Sequence, residues 1–284
     1  MNNNIFRDLS FKIFRSGNPL FLYIGVNTIL FLLTAIAVVF IFLSGNTFDV
    51  YTWIREYMGI PAEIALLPKR FYTAVSYMFF HEGFFHLLFN MLGLFWFGNI
   101  FMNFLKARQF HFVYLTGGLA GALFYIAGLN IFPVFALGLS GATVIGSSAA
   151  VMAIIVAIAT LVPNYTLFLM FLGEVKIKYL ALAYFILDII GITSSNAGGS
   201  FAHIGGAVLG FVFIKSLQSG RDWSKIFERK PRLRVIRHDK PTKKPDSKDV
   251  SQQEIDAILD KISESGYDKL TAKEKEKLFK ASKH

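Results

Sequence analysis

"QFHFVYLTGGLAGALFYIAGLNIFPVFALGLSGATVIGSSAAVMAIIVAIATLVPNYTLFLMFLG", residues 109–173, runs for 65 residues without Asp, Glu, Lys or Arg. About 20 such residues already cross a bilayer as a helix, so this stretch holds more than one crossing. Two serines inside it sit among small residues. Ser140 lies in Gly-Leu-Ser-Gly, and Ser148, eight residues later, lies in Gly-Ser-Ser-Ala. Small neighbours suit packing, a tight turn or a nucleophile alike.

Working outward, the 284-residue chain is 54% hydrophobic, too much for an ordinary soluble domain. The formal charge of +10 invites a nucleic-acid reading, but 18 of the 29 Lys and Arg and 12 of the 19 acids follow Ser219. That tail therefore carries 18 − 12 = +6 of the total, and the remaining cations cluster at the ends of apolar runs. This pattern sets membrane orientation rather than a DNA-binding face, and no nucleic-acid partner is expected. With no cysteine, disulfides and thiolate metal sites are excluded.

Six spans can be drawn, roughly at 20–43, 84–104, 110–130, 147–162, 178–191 and 200–217. The first is preceded by Arg7, Lys12 and Arg15, as in a signal peptide. Its 24-residue apolar run is too long for an h-region and no small-x-small cleavage site follows, so it reads as a retained span. The fourth and fifth are short, which suits helices that begin inside a protein-enclosed cavity. The uncharged loops 131–146 and 192–199 are expected to dip into the membrane or cover something. Lys106 and Arg108, Lys176 and Lys178, and Lys215 with the basic tail fall on the same side as the N-terminus, which is then cytoplasmic. Only Arg55, Lys69 and Arg70, in the aromatic segment 44–80, oppose them.

The chain thus divides into a cytoplasmic segment 1–19, a membrane domain 20–217, a basic linker 218–250 and a cytoplasmic helical hairpin 251–284. Ser251 with Glu254 and Thr271 with Glu274 form capping boxes that open the two hairpin helices. Ile255, Ile258, Leu259 and Ile262 make one apolar stripe that needs a partner, which the sequence does not name.

Polar groups inside spans are costly and each needs a reason. Span two opens "HEGFFHLLFNMLG", where His86 and Asn90 are four apart and share a helix face. His81 and His86 are five apart, about 140° around a helix, and poorly placed to grip one metal. "HEGFFH" also holds one residue too many for the metalloprotease His-Glu-x-x-His, so no metal or other cofactor is expected. Span six opens "FAHIGGAVLG", placing His203 ahead of the small-residue ladder Ala202, Gly206 and Gly210. Taken singly, these groups read as interhelical glue and close packing. Taken together, a serine, a histidine and an Asn/His pair on three spans supply nucleophile, base and oxyanion donors.

"HEGFFHLLFN", a Gly-x-Ser opening a short span and "AHIGGAVLG" occur in the order found in rhomboid intramembrane serine proteases, and over residues 65–217 the chain resembles that family. The resemblance implies an all-α polytopic fold, a six-helix rhomboid-like bundle here carrying a small helical C-terminal tail. It implies a bacterial-type enzyme of the inner membrane, with cytoplasmic termini, that cleaves transmembrane protein substrates. It further implies Ser148 as nucleophile, His203 as general base, His86 and Asn90 as oxyanion donors, and His81, Gly146, Gly206 and Gly210 in support. The family works with a Ser–His dyad and no carboxylate, so Asp188 reads as structural. A non-catalytic relative that binds or escorts membrane clients is the alternative; such relatives lack the serine or the histidine, and both are present here.

Gly138-Leu139-Ser140-Gly141 fits the family's Gly-x-Ser-Gly better than Gly146-Ser147-Ser148-Ala149 does. Depth decides otherwise. His203 lies 12 residues before Lys215, or ~18 Å along a helix. Ser148 is 15 residues before Pro163, ~22 Å, whereas Ser140 is 23 before it, ~34 Å. A base must come within about 3 Å of its nucleophile, which favours Ser148 and assigns Ser140 to a loop. Met152 stands one turn on, where the family commonly has a tyrosine packed on the histidine; its sulfur can contact the imidazole instead.

Overall fold

A computed structural model describes residues 5–170, 173–228 and 251–282. The chain divides into two units, Met1–Arg229 and Lys230–His284. In the first, a short helix α1 (Ile5–Ser10) precedes α2 (Pro19–Leu43), whose N-terminus is capped by the Asn18 side chain. The outer segment folds as α3 (Val50–Met58), strand β1 (Ile60–Pro61) and α4 (Thr73–Ser76). Then come α5 (Phe84–Phe104), α6 (Ala107–Ile131), strand β2 (Thr143–Val144) and α7 (Ser148–Leu161). A hairpin of β3 (Thr166–Leu169) and β4 (Gly173–Lys176) leads to α8 (Ile177–Gly191) and α9 (Ala197–Gln218).

The apolar runs of the sequence therefore become the helices α2, α5, α6, α7, α8 and α9. Four of them, α2, α5, α6 and α9, are long and apolar enough to cross a membrane. α7 and α8, at 14 and 15 residues, are the two short ones. The core lies where α6, α7 and α9 meet. α7 is buried on nearly all sides because its Ala, Val and Ile side chains allow neighbours to come close. α2 is at the edge, with 11% of its apolar window buried. Its Leu32, Phe40 and Phe42 are exposed, as the outward side chains of a membrane-crossing helix are expected to be.

The loop 131–146 does not run free. A 3-10 stretch, Pro133–Gly138, is followed by β2, which pairs antiparallel with β1 in the register Ile60 to Val144 and Pro61 to Thr143. Ala62 N–H adds a bond to the Ala142 carbonyl at 2.9 Å. The outer segment thus holds down the backbone that enters α7. The start of the segment read as a linker has a defined place next to the N-terminal end of α6. Residues 219–228 fold back on the bundle: Asp222 accepts from Arg108 at 2.8 Å and from Gln109 at 3.2 Å. The physical reason is that a buried Gln109 and a half-buried Arg108 need acceptors, which Asp222 provides. The rest of the linker, 229–250, lies outside the described residues.

In the second unit, α10 (Gln252–Ser265) and α11 (Ala272–Ala281) form the expected hairpin. Thr271 and Glu274 make a complete capping box, while Ser251 caps Glu254 N–H. Ile258 and Leu270 are buried between the helices, and Lys261–Glu274 and Lys277–Glu254 pair across them at 2.8 and 2.9 Å. Leu259, read as part of the apolar stripe, is half exposed.

Candidate active site

The start of α7 is built around a glycine. Gly146 has φ +129°, a conformation that L side chains rarely adopt, and its N–H donates to the Tyr77 carbonyl at 2.8 Å. A Cβ there would lie 2.7 Å from His86 Nε2 and 3.8 Å from Ser148 Oγ. The missing side chain is what lets an imidazole from α5 come up to the first turn of α7. Next, Ser147 is fully buried and engaged by His81: its hydroxyl stands 3.1 Å from Nε2 and its N–H donates to the same nitrogen at 3.4 Å. With Ser147 held, Ser148 is the serine of the pair that reaches the cavity.

That cavity, about 1320 Å³, lies between α5 and α8 with α7 behind it. Ser148, His86, Asn90 and His203 all line it, together with Phe85, Phe89 and Trp96 of α5 and Leu180 and Tyr184 of α8. It runs from Ser148 to Leu167–Met170 at the β3–β4 hairpin. Asn90 donates one amide proton to the His86 carbonyl at 2.9 Å, which uses half of its donor capacity. The His81 and His86 rings meet edge to face, centroids 5.0 Å apart. The first-turn N–H groups of α7 have no acceptor within their own helix, the usual state of a helix N-terminus.

His203 comes to this cavity because α9 lies almost in backbone contact with α7. A Cβ on Gly206 would run into the Ala149 carbonyl oxygen, and one on Gly210 into that of Ala153. One helical turn after His203 therefore packs on the residue after Ser148, the level at which depth put the two side chains. Ser140 is elsewhere. It is exposed in the turn before β2 and lines a separate hollow with Glu63 and Arg70.

Three residues of the site escaped the sequence reading. Asp188 of α8, taken as structural, has Oδ1 2.7 Å from His203 Nδ1. Tyr184, one turn earlier, places its ring 6.1 Å from the His203 ring, a role expected of position 152, where Met152 is buried instead. Tyr77 anchors Gly146 and also donates to the Gly118 carbonyl at 2.6 Å. A signal existed for Asp188 alone, since it is the one charged residue between Lys178 and Lys215.

Comparison with known proteins agrees with this architecture. Residues 68–218 match the Rhomboid domain, and residues 246–284 match a family of unknown function, DUF6576. Over 164 residues the chain is 34% identical to "RHOMBOID-like protein 12, mitochondrial" of Arabidopsis thaliana, covering 54% of this chain and 48% of the relative. The chain thus spans about half the length of that relative. No solved structure matches it.

Proposed function

Starting from its membership of the rhomboid family, we propose that this chain is an intramembrane serine endopeptidase that cleaves transmembrane protein segments. The observation that carries the reading is one cavity lined at once by a serine hydroxyl, an imidazole and two further polar side chains, from α5, α7 and α9. Ser148 Oγ attacks the scissile carbonyl carbon while His203 takes its proton. The negative oxygen is met by the Ser148 N–H, His86 and Asn90, each preorganised donor being worth about 3–4 kcal/mol in such chemistry. The peptide C–N bond then breaks, and His203 returns the proton to the leaving amine. Water, activated by the same histidine, hydrolyses the acyl-enzyme.

The apolar wall of Phe85, Phe89, Trp96 and Leu180 suits a transmembrane segment as substrate. Because a helix hides its peptide bonds, segments with small or helix-breaking residues are the favoured class. The positive-inside charge pattern supports a multi-pass inner-membrane protein of bacterial type with cytoplasmic termini. The Arabidopsis relative is mitochondrial by name, and that location is said of it alone.

Labelling of the detergent-purified chain with a fluorophosphonate probe tests the assignment. Wild type and Ser140→Ala are expected to label, and Ser148→Ala and His203→Ala to lose both labelling and cleavage of a model transmembrane substrate. Labelling that survives Ser148→Ala but vanishes in Ser140→Ala overturns it. A wild type that neither labels nor cleaves favours the client-binding alternative.

A further inference from the structure

We infer that Asp188 is a positioning residue that holds the His203 imidazole with its proton on Nδ1, adding a carboxylate from α8 to the Ser148–His203 pair. The inference rests on the protease reading above and departs from the carboxylate-free dyad that the family resemblance implies.

A carboxylate within a membrane span is expensive and needs a specific partner. Asp188 is 8% exposed, and its Oδ1 lies 2.7 Å from His203 Nδ1. Its Oδ2 is buried and has no hydrogen-bond partner among the described residues. A residue recruited to knit helices together is expected to spend both oxygens on the neighbouring elements. Asp188 instead offers Oδ1 as acceptor to a single ring nitrogen, His203 Nδ1.

The chemistry of that bond fixes the ring. An ionised carboxylate only accepts, so a neutral imidazole facing it donates from Nδ1 and keeps its lone pair on Nε2. Nε2 is the nitrogen left to take the proton of Ser148. Without the carboxylate, the tautomer with a proton on Nε2 becomes accessible, and that form cannot act as the base. Once the ring has accepted the serine proton, the carboxylate also offsets the imidazolium charge. Tyr184, four residues earlier and so on the same face of α8, flanks the ring as well. Two side chains of one helix thus hold the ring, on a helix that buries little else.

The test combines kinetics with ring ¹⁵N NMR of histidine-labelled full-length protein in detergent, with His203 assigned by its loss in His203→Ala. Wild type is expected to show Nδ1–H, and Asp188→Asn to move the proton to Nε2. Asp188→Asn should lower kcat about 100-fold or more on a model transmembrane substrate, with KM within about threefold and the melting temperature unchanged. Asp188→Glu should restore the Nδ1–H form and part of kcat. The inference is overturned if wild-type His203 carries its proton on Nε2, or if Asp188→Asn keeps kcat within about threefold of wild type. It is also overturned if Asp188→Glu leaves the proton on Nε2. Should wild type neither cleave nor label at Ser148, the protease reading falls. The NMR comparison of wild type and Asp188→Asn still decides where Asp188 holds the proton.

Discussion

α7 and α8 are nearly equal in length and line the same cavity, yet ten of the 14 residues of α7 are buried against three of the 15 of α8. α7 is gripped by α5, α6 and α9, and its Ala-rich surface lets their backbones approach. α8 leans mainly on α9 and turns Leu182, Leu187 and Ile190 outward. Local opening costs least where few apolar contacts are buried, so of the two helices α8 moves away more cheaply. The serine sits on the element that cannot shift. Asp188, one of the three buried residues of α8, sits on the element that can.

Three perturbations test that contrast. The largest effect belongs to Gly206→Ala, because the new methyl meets the Ala149 carbonyl and backbone cannot yield as a side-chain tip can. We expect a loss of about 3 kcal/mol, read as a drop in thermal or denaturant midpoint, with cleavage falling alongside. A near-neutral Gly206→Ala would show that α9 moves freely on α7, and the contrast would collapse.

An intermediate effect is expected at the N-terminal end of α6, where Arg108 and Asp222 pair at 2.8 Å. Burial alone would raise the Asp222 pKa, but hydrogen bonds from Ser224 and Arg108, with the charge of Arg108, hold it below the ordinary carboxylate value. A carboxyl with a depressed folded pKa contributes stability that is complete above its unfolded pKa of about 3.9 and fades as the pH falls below that. Melting followed from pH 6 downward should thus lose part of its acid sensitivity in Asp222→Asn. An unchanged pH profile would mean that this clamp adds nothing to the central helices.

The smallest effect is assigned to Leu187→Ala, on the exposed face of α8. It should alter stability by no more than about 0.5 kcal/mol. A loss comparable to Gly206→Ala would place α8 among the gripped helices and refute the comparison from the other side.

The six apolar helices were legible because apolar length is a local property, and four of the six match the spans drawn from hydropathy within two residues at both ends. The depth argument expected Ser148 and His203 at one level, since helical rise converts residue count directly into distance, and the two line one cavity. The pairing of Ile60 with Val144 was not legible. Two residues of strand carry no periodicity, and Ile60 and Val144 are 144 − 60 = 84 positions apart. Asp188 was visible as an anomaly but not as a partner of His203. That contact depends on how α8 is rotated about its axis against α9, which hydropathy along α8 does not encode. The place of residues 219–228 was hidden for a similar reason: their composition is that of a linker, and their position depends on contacts with Arg108 and Gln109.

The shortness of α8 has a consequence for the lipid. Fifteen residues of helix rise ~22 Å, against a hydrocarbon thickness of ~30 Å. Set in a bilayer with most of its surface outward, α8 would require the adjoining lipid to compress or to let headgroups sink toward it. The elastic cost of that mismatch is confined to the flank where the cavity opens, because α2, α5, α6 and α9 have full spanning length. If the chain cleaves transmembrane segments as proposed, a segment arriving there would enter a thinner membrane than the one it left, and its outermost turn would meet water before it meets the protein.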